Sequence, residues 1–385
     1  MVRLPRLFLS CVLLVAACWA QSSTDTQQAS STEGSKPDVK EVAQPVAREA
    51  AADAKASEAK DVTQPAKIRL TAVDSVVSKT ETASGFTELS CDGDGNVYLG
   101  PADNGDAIHK INAKGELLAS FKPEANPEIE VYGVLPYTVT PDGEVYVPVG
   151  SKATRDWRLL VFKSDGSYST NIRPDTGFSV APATLAVFAN GNILMTGLKL
   201  DRNSKLFIIP FTGIYRSDGK LLKEITLEQD EHLPDTSAMR NLQPGQPVPV
   251  ITNRAVEWGQ TEPAKDGNIY IMRWASPVAF YAISPGGEVV KHFKVDPGAA
   301  YYDPEQMHIA GNRIAVSFRH GGNDRIMKIV DLDGQELATY EISPTDSPKS
   351  EPLGVFACYT LSPERFTFLI SDKDFKLKVK QVEAR

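Results

Sequence analysis

The chain has 385 residues, 42% of them hydrophobic, 23% charged and 8% aromatic, and carries a net charge of −8. This composition excludes a collagen-like chain, a coiled coil and a wholly disordered protein. The acidic balance argues against a general nucleic-acid binder, which needs a basic face to displace counterions from phosphate, so no nucleic acid is expected among the partners.

Residues 1–20 read as a signal peptide. Arg3 and Arg6 give a basic start, and Leu7 to Ala17 is an apolar run broken only by Ser10 and Cys11. That run is shorter than the ~20 apolar residues needed to span a bilayer. Two cleavage readings stay open: Cys18-Trp19-Ala20 before Gln21 suits signal peptidase, whereas Val15-Ala16-Ala17-Cys18 resembles a bacterial lipobox with Cys18 as the lipidated first residue. Both predict an extracytoplasmic protein, either secreted or held as a periplasmic or cell-envelope lipoprotein that meets the membrane only through its lipid anchor. Residues 21–66 are dominated by Ala, Ser, Thr, Gln and charged side chains, with Val39, Val42, Val46 and Val62 as the sizeable apolar residues. Such a stretch buries too little surface to offset chain entropy, and it reads as a disordered linker.

From residue 67 to residue 385 a two-part pattern repeats. Its first part is a tight turn followed by an alternating strand: Gly93-Asp94-Gly95-Asn96-Val97-Tyr98-Leu99, Pro141-Asp142-Gly143-Glu144-Val145-Tyr146-Val147, Ala189-Asn190-Gly191-Asn192-Ile193-Leu194-Met195 and Lys265-Asp266-Gly267-Asn268-Ile269-Tyr270-Ile271. Degenerate copies follow at Ala310 to Val316 and Ser362 to Phe368. Asp-Gly and Asn-Gly between β-branched and aromatic residues are hairpin signals, because these residues accept positive φ at little steric cost. The second part is an apolar strand running into another Gly turn, at Ile108 to Gly115, Leu159 to Gly166, Ile214 to Gly219, Ala279 to Gly287 and Ile326 to Gly334; Asp372-Lys373-Asp374 replaces it in the sixth unit.

Each unit therefore reads as four short antiparallel strands, spaced like propeller blades of ~40–50 residues. Between Gly191 and Gly267 the spacing stretches, and its excess falls in a Pro-rich, polar piece at about 230–253 that reads as an inserted loop. The prediction is an all-β, six-bladed β-propeller. Its last unit supplies three strands, at Leu353 to Thr360, Phe366 to Ser371 and Phe375 to Val382, the last with the charge alternation of an outer strand. The fourth should come from Ile68 to Val73, which removes both free sheet edges.

Of the four cysteines, Cys91 and Cys358 fall in the folded part. Export would permit a disulfide between them. Nothing in the sequence fixes their separation, however, and two small buried apolar residues are the expectation.

In motif detail the blade Asp94 to Leu99, Ile108-His109-Lys110-Ile111 and Lys114-Gly115-Glu116-Leu117-Leu118 resembles an NHL repeat, and the Pro141 to Ser167 unit is similar. The resemblance implies the six-bladed NHL-like group, which holds many binding scaffolds along with gluconolactonase-like and virginiamycin-lyase-like enzymes. It implies architecture more than activity.

In such propellers the ligand face carries the loops between second and third strands and the loops leading into each innermost strand. The former contain Arg155, Arg202, Arg273 with Trp274, Arg319 with His320, and Lys373; a ring of guanidinium groups suits carboxylate or phosphate, which its planar fork meets with paired hydrogen bonds. The latter add Glu305 and the aromatic faces of Tyr132, Tyr137, Trp258, Tyr301 and Tyr302, suited to a sugar or peptide. The expected function is a non-enzymatic, monomeric binding scaffold for a protein, peptide or glycan, anionic in part, with no cofactor. The sequence holds no Gly-Xaa-Ser-Xaa-Gly elbow, phosphate loop, HExxH run or Cys-Xaa-Xaa-Cys pair. The alternative is a metal-assisted hydrolase or lyase, with Glu88, Glu262, Asp303 and His308 as the candidate group at the channel.

Overall fold

A computed structural model describes residues 67–81, 86–101, 107–134, 136–154, 156–200, 208–227, 254–298, 303–320, 324–342, 354–371 and 376–384; the leader, the 21–66 linker and the 230–253 insertion lie outside them. Blade 1 comprises β2 (Phe86–Cys91), β3 (Val97–Pro101), β4 (Ile108–Ile111) and β5 (Leu117–Phe121). In blade 2 the innermost position is shared by β6 (Val131–Val134) and β7 (Thr138–Val139), followed by β8 (Val145–Ser151), β9 (Trp157–Phe162) and β10 (Tyr168–Ile172). Blade 3 holds β11 (Val180–Val187), β12 (Ile193–Leu200), β13 (Ile208–Tyr215) and β14 (Leu221–Glu224). The short helix α1 (Arg254–Glu257) precedes blade 4, which is β15 (Gln260–Pro263), β16 (Ile269–Arg273), β17 (Val278–Ile283) and β18 (Val289–Val295). Blade 5 is β19 (Asp303–Ala310), β20 (Arg313–His320), β21 (Asp324–Asp331) and β22 (Glu336–Ile342). Blade 6 is β23 (Val355–Leu361), β24 (Glu364–Ser371) and β25 (Lys376–Ala384), completed by β1 (Lys67–Glu81).

The repeated glycines do what the sequence pattern demands. The Gly95 N–H bonds Asp92 O at 3.0 Å while the Asp92 N–H bonds Asn96 O at 3.2 Å, and the same reciprocal pair recurs at Gly143, Gly191 and Gly267. The turns between third and fourth strands repeat it. Gly166, with φ 88°, shows why no side chain is accepted there: a Cβ would meet Ser120 O of the preceding blade at 2.6 Å. The repeated Tyr of the motif ties blades together. Tyr98 Oη donates toward Gly143 O of blade 2 at 3.3 Å, and Tyr270 Oη toward Leu332 O of blade 5 at 3.0 Å.

The apolar interior is not one core. Strand alternation sends successive side chains to opposite faces of each blade, and the buried residues gather into six wedges, each between consecutive blades. Val97 and Leu99 thus pack against Leu369 and Val379 of blade 6, while Tyr98 between them packs against Val145 and Leu160 of blade 2. The innermost strands touch in a closed circle, β2 against β7, β7 against β11, then β15, β19, β23 and back to β2.

β1 closes the ring as the outermost strand of blade 6. It runs antiparallel to β25, from Leu70 opposite Ala384 to Glu81 opposite Lys376. The strand is longer than the Ile68 to Val73 segment expected, and its first residues differ in partner: Lys67, Ile68 and Arg69 pair in parallel with Thr339, Tyr340 and Glu341 of β22. β25 is consequently the third strand rather than the outer one. Cys91 and Cys358 correct a second expectation. They form a disulfide with Cα atoms 5.5 Å apart, joining the innermost strands of the first and last blades. Ring closure is what brings two residues so distant in sequence to bonding distance.

Candidate functional site

Register fixes which loops share a face. Gln260 at the start of β15 lies opposite Met272 near the end of β16, Asp303 opposite Arg319, and Val131 opposite Ser151. In each of these blades the segment leading into the innermost strand and the loop after the second strand therefore meet at one end. Neighbouring innermost strands run the same way: Gln260 Oε1 accepts the Met307 N–H at 2.6 Å and Glu262 Oε2 the Ile309 N–H at 2.6 Å, a two-residue step on both strands. Arg155, Arg202, Tyr301, Tyr302 and Lys373 lie outside the described residues, and Tyr132 and His320 are placed only as positions on β6 and β20.

Around blades 4 and 5 the face is built in detail. Ala255 and Val256 of α1 are buried, and Ala255 O accepts the Trp274 N–H at 3.2 Å. Gly259 then lets the chain drop into β15, since a Cβ would meet Met272 O at 2.7 Å and Ala255 O at 3.1 Å. This turn sets Trp258 edge-on to Trp274, with ring centroids 4.8 Å apart and planes at 84°. Trp274 Nε1 donates to Pro304 O at 2.9 Å, which fixes the pair against blade 5. Trp258 remains 49% exposed, a large aromatic surface on an otherwise anchored frame.

The residue after Pro304 is an acidic one bracketed by arginines. Glu305 accepts Arg325 Nε at 2.8 Å and Arg325 Nη2 at 2.9 Å, together with Ser317 Oγ at 2.9 Å. The Arg319 guanidinium lies 3.9 Å from the same carboxylate, its side chain 38% exposed. Arg319 and Arg325 stand directly opposite each other on β20 and β21. Sequence reasoning missed Arg325, because two arginines six positions apart around a hairpin land opposite each other only in one strand register.

Arg273 is not at the mouth. It shares the β16 face of Ile269 and Ile271, which pack on Ile214 of blade 3, so its side chain enters the wall between blades 3 and 4. There it is 2% exposed, with Nη2 donating to Thr212 Oγ1 at 3.1 Å and with Nε and Nη1 buried without partners. Burial pushes the guanidinium down to about 10. Tyr137 is likewise internal: its hydroxyl donates to Tyr98 O at 2.9 Å and to Glu88 O at 3.3 Å, and burial raises it well above the usual phenol range.

The alternative metal group is dispersed. His308 and Glu262 meet, with Nδ1 2.9 Å from Oε1, but His308 is 2% exposed and stands edge-on to Phe356 at 4.8 Å. Asp303 is exposed at the start of β19, and among the described residues no three His, Cys, Asp or Glu side chains are arranged to hold a metal ion. Glu88 lies on β2, where desolvation raises its carboxyl to about 7, the Tyr137 N–H offsetting this only in part.

No protein-family model matches the sequence, and no curated protein matches it. Solved structures align with it distantly. The Pan2 WD40 domain of Neurospora crassa aligns at TM-score 0.44 and 11% identity over 83% of this chain and 97% of that one. A protein of unknown function from Bacteroides caccae aligns at 0.41 and 13% over 66% and 80%, and YCF48 bound to D1 peptide at 0.38 and 11% over 84% and 100%.

Proposed function

We propose that this chain is an exported, non-enzymatic propeller of the NHL-like kind, whose ligand face around blades 4 and 5 receives a peptide or glycan, or an envelope protein bearing one. The observation that carries the reading is the Trp258–Trp274 pair: one ring is pinned by its indole N–H and by α1, and the other offers nearly half its surface at the end of the propeller that also carries the Arg319–Glu305 pair. A rigid aromatic edge and a partly exposed guanidinium at one end of the propeller suit ligands with flat apolar faces and an anionic group. Export draws support from the Cys91–Cys358 bond, since disulfides persist in oxidising compartments.

A thermal-shift screen of anionic sugars and acidic peptides tests the face. A ligand that raises the melting temperature should bind Trp258→Ala about tenfold more weakly while the unliganded variant melts as before. Undiminished binding by Trp258→Ala would remove this face from the proposal. Mass spectrometry of the mature amino terminus tests export separately, by distinguishing an acylated Cys18 from a free Gln21.

A further inference from the structure

The Cys91–Cys358 bond lies at the opposite end of the channel from the tryptophan pair, because Cys91 ends β2 just before the Asp92 to Gly95 turn. Its two sulfurs are unequal. Cys358 is 1% exposed and packed among Val97, Leu99 and Leu369, whereas Cys91 is only partly buried at the edge of that wedge. Cys91 Sγ also faces His308 Nδ1 at 4.0 Å, across from blade 5. The same nitrogen meets Glu262 Oε1 at 2.9 Å, and Glu262 is held in turn by the Ile309 N–H. The Nδ1 edge of the imidazole thus faces both a fixed carboxylate and the sulfur, and with the hydrogen on Nδ1 the positive end of the ring dipole lies nearest Cys91, which would favour its thiolate.

We infer that Cys91–Cys358 is a thiol-exchange site, attacked at Cys91 by a small thiol, whose opening frees the inner wall of the ring while the β1–β25 pairing holds the outer one. The incoming thiolate bonds to Cys91 Sγ, the protein S–S bond breaks, and Cys358 departs as a thiolate that takes up a proton. A second small thiol then attacks the sulfur of the first, leaving as a small-molecule disulfide and releasing Cys91, whose thiolate lies beside His308. Two external thiols are thus oxidised to one disulfide, one protein disulfide is reduced to two thiols, and the two thiol protons pass to the cysteines. His308 is a positioning residue in this exchange. The two closures are separable: the disulfide joins innermost strands, and the strand pairing joins the outer ones.

The full chain is treated with graded glutathione, quenched and read by peptide mass spectrometry. The glutathione adduct is expected on Cys91 and not on Cys358. In fully reduced protein, Cys91 is expected to alkylate at least about tenfold faster than Cys358, and the protein still melts in one cooperative transition at a lower temperature. His308→Gln should slow Cys91 alkylation severalfold while leaving Cys358 unchanged, a separation that a merely structural role would not produce. An adduct on Cys358, equal alkylation rates, equal slowing at both sulfurs, or loss of the cooperative transition on reduction would each overturn the inference. The adduct position and rate ratio need no variant, so they decide the matter even if His308→Gln misfolds.

Discussion

The seam between blades 6 and 1 and the junction between blades 3 and 4 are both apolar wedges, yet they are built to different standards. The seam has three ties of different kinds: the packing of Val97, Leu99 and Ile111 on Leu369, Leu377 and Val379, the disulfide, and the long β1–β25 pairing. The blade 3–4 junction packs Leu194 and Ile214 on Ile269, Ile271 and Tyr281, then admits Arg273 with two guanidinium nitrogens unpaired. Covalent continuity explains the contrast. Blades 3 and 4 are joined by the chain itself, so their interface tolerates an unfavourable buried charge. Blades 6 and 1 are joined by the chain only through β1, so the ties that hold the other three strands of blade 6 against blade 1 must come from distant sequence.

The strongest way to break the comparison is to delete β1, residues 67–81. The β25 edge is then unpaired, and the expected result is loss of the cooperative transition and aggregation, read by calorimetry and size-exclusion chromatography. Next in size, a Cys91→Ser, Cys358→Ser double variant should fold but lose about 2–5 kcal/mol in denaturant unfolding. Were it to lose nothing, the seam would owe its strength to strands and packing alone.

At the other junction the sign reverses. Arg273→Met should stabilise the protein by about 1–3 kcal/mol, because this buried cation, with Nε and Nη1 lacking partners, is poorly compensated. Its folded value of about 10 lies below the unfolded one, so the penalty is complete below pH 10 and fades only above it. A destabilised Arg273→Met would mean that its contact with Thr212 and its packing outweigh that penalty.

The smallest effect belongs to Glu88. Its folded value of about 7 lies above the usual carboxylate range, so the folded state binds the proton more tightly and stability falls as pH rises from about 4.5 to 7. Because Glu88 keeps some exposure, the loss should be no more than about 2 kcal/mol. Glu88→Gln should flatten that slope, as measured by denaturant midpoints across the range.

The blades were legible because their information is local. Asp142-Gly143 or Asn190-Gly191 sets a turn within four residues, and the alternation of Val97, Tyr98 and Leu99 declares both faces of a strand. Closure was legible by counting, since a unit with three strands needs a fourth. What stayed hidden depends on tertiary registration. The disulfide requires blades 1 and 6 to be neighbours at one height along the channel, and the Glu305 bracket requires the β20–β21 register. Arg273 lay between these cases: Ile269 and Ile271 reveal which face it shares, but its position at a strand end made it look like a loop residue. The Trp258–Trp274 contact depends on α1 and on Gly259, neither of which a period-two pattern announces.

The placement of β1 also has a consequence in time. It is the first strand of the propeller to be synthesised, and its antiparallel partner is the last. Five blades can assemble in order as they appear, while this leading segment waits without its mate. The ring can therefore lock only after β25 has been made, and a ribosome that stalls before residue 376 leaves behind an open crescent with a sticky rim for quality-control proteases to find.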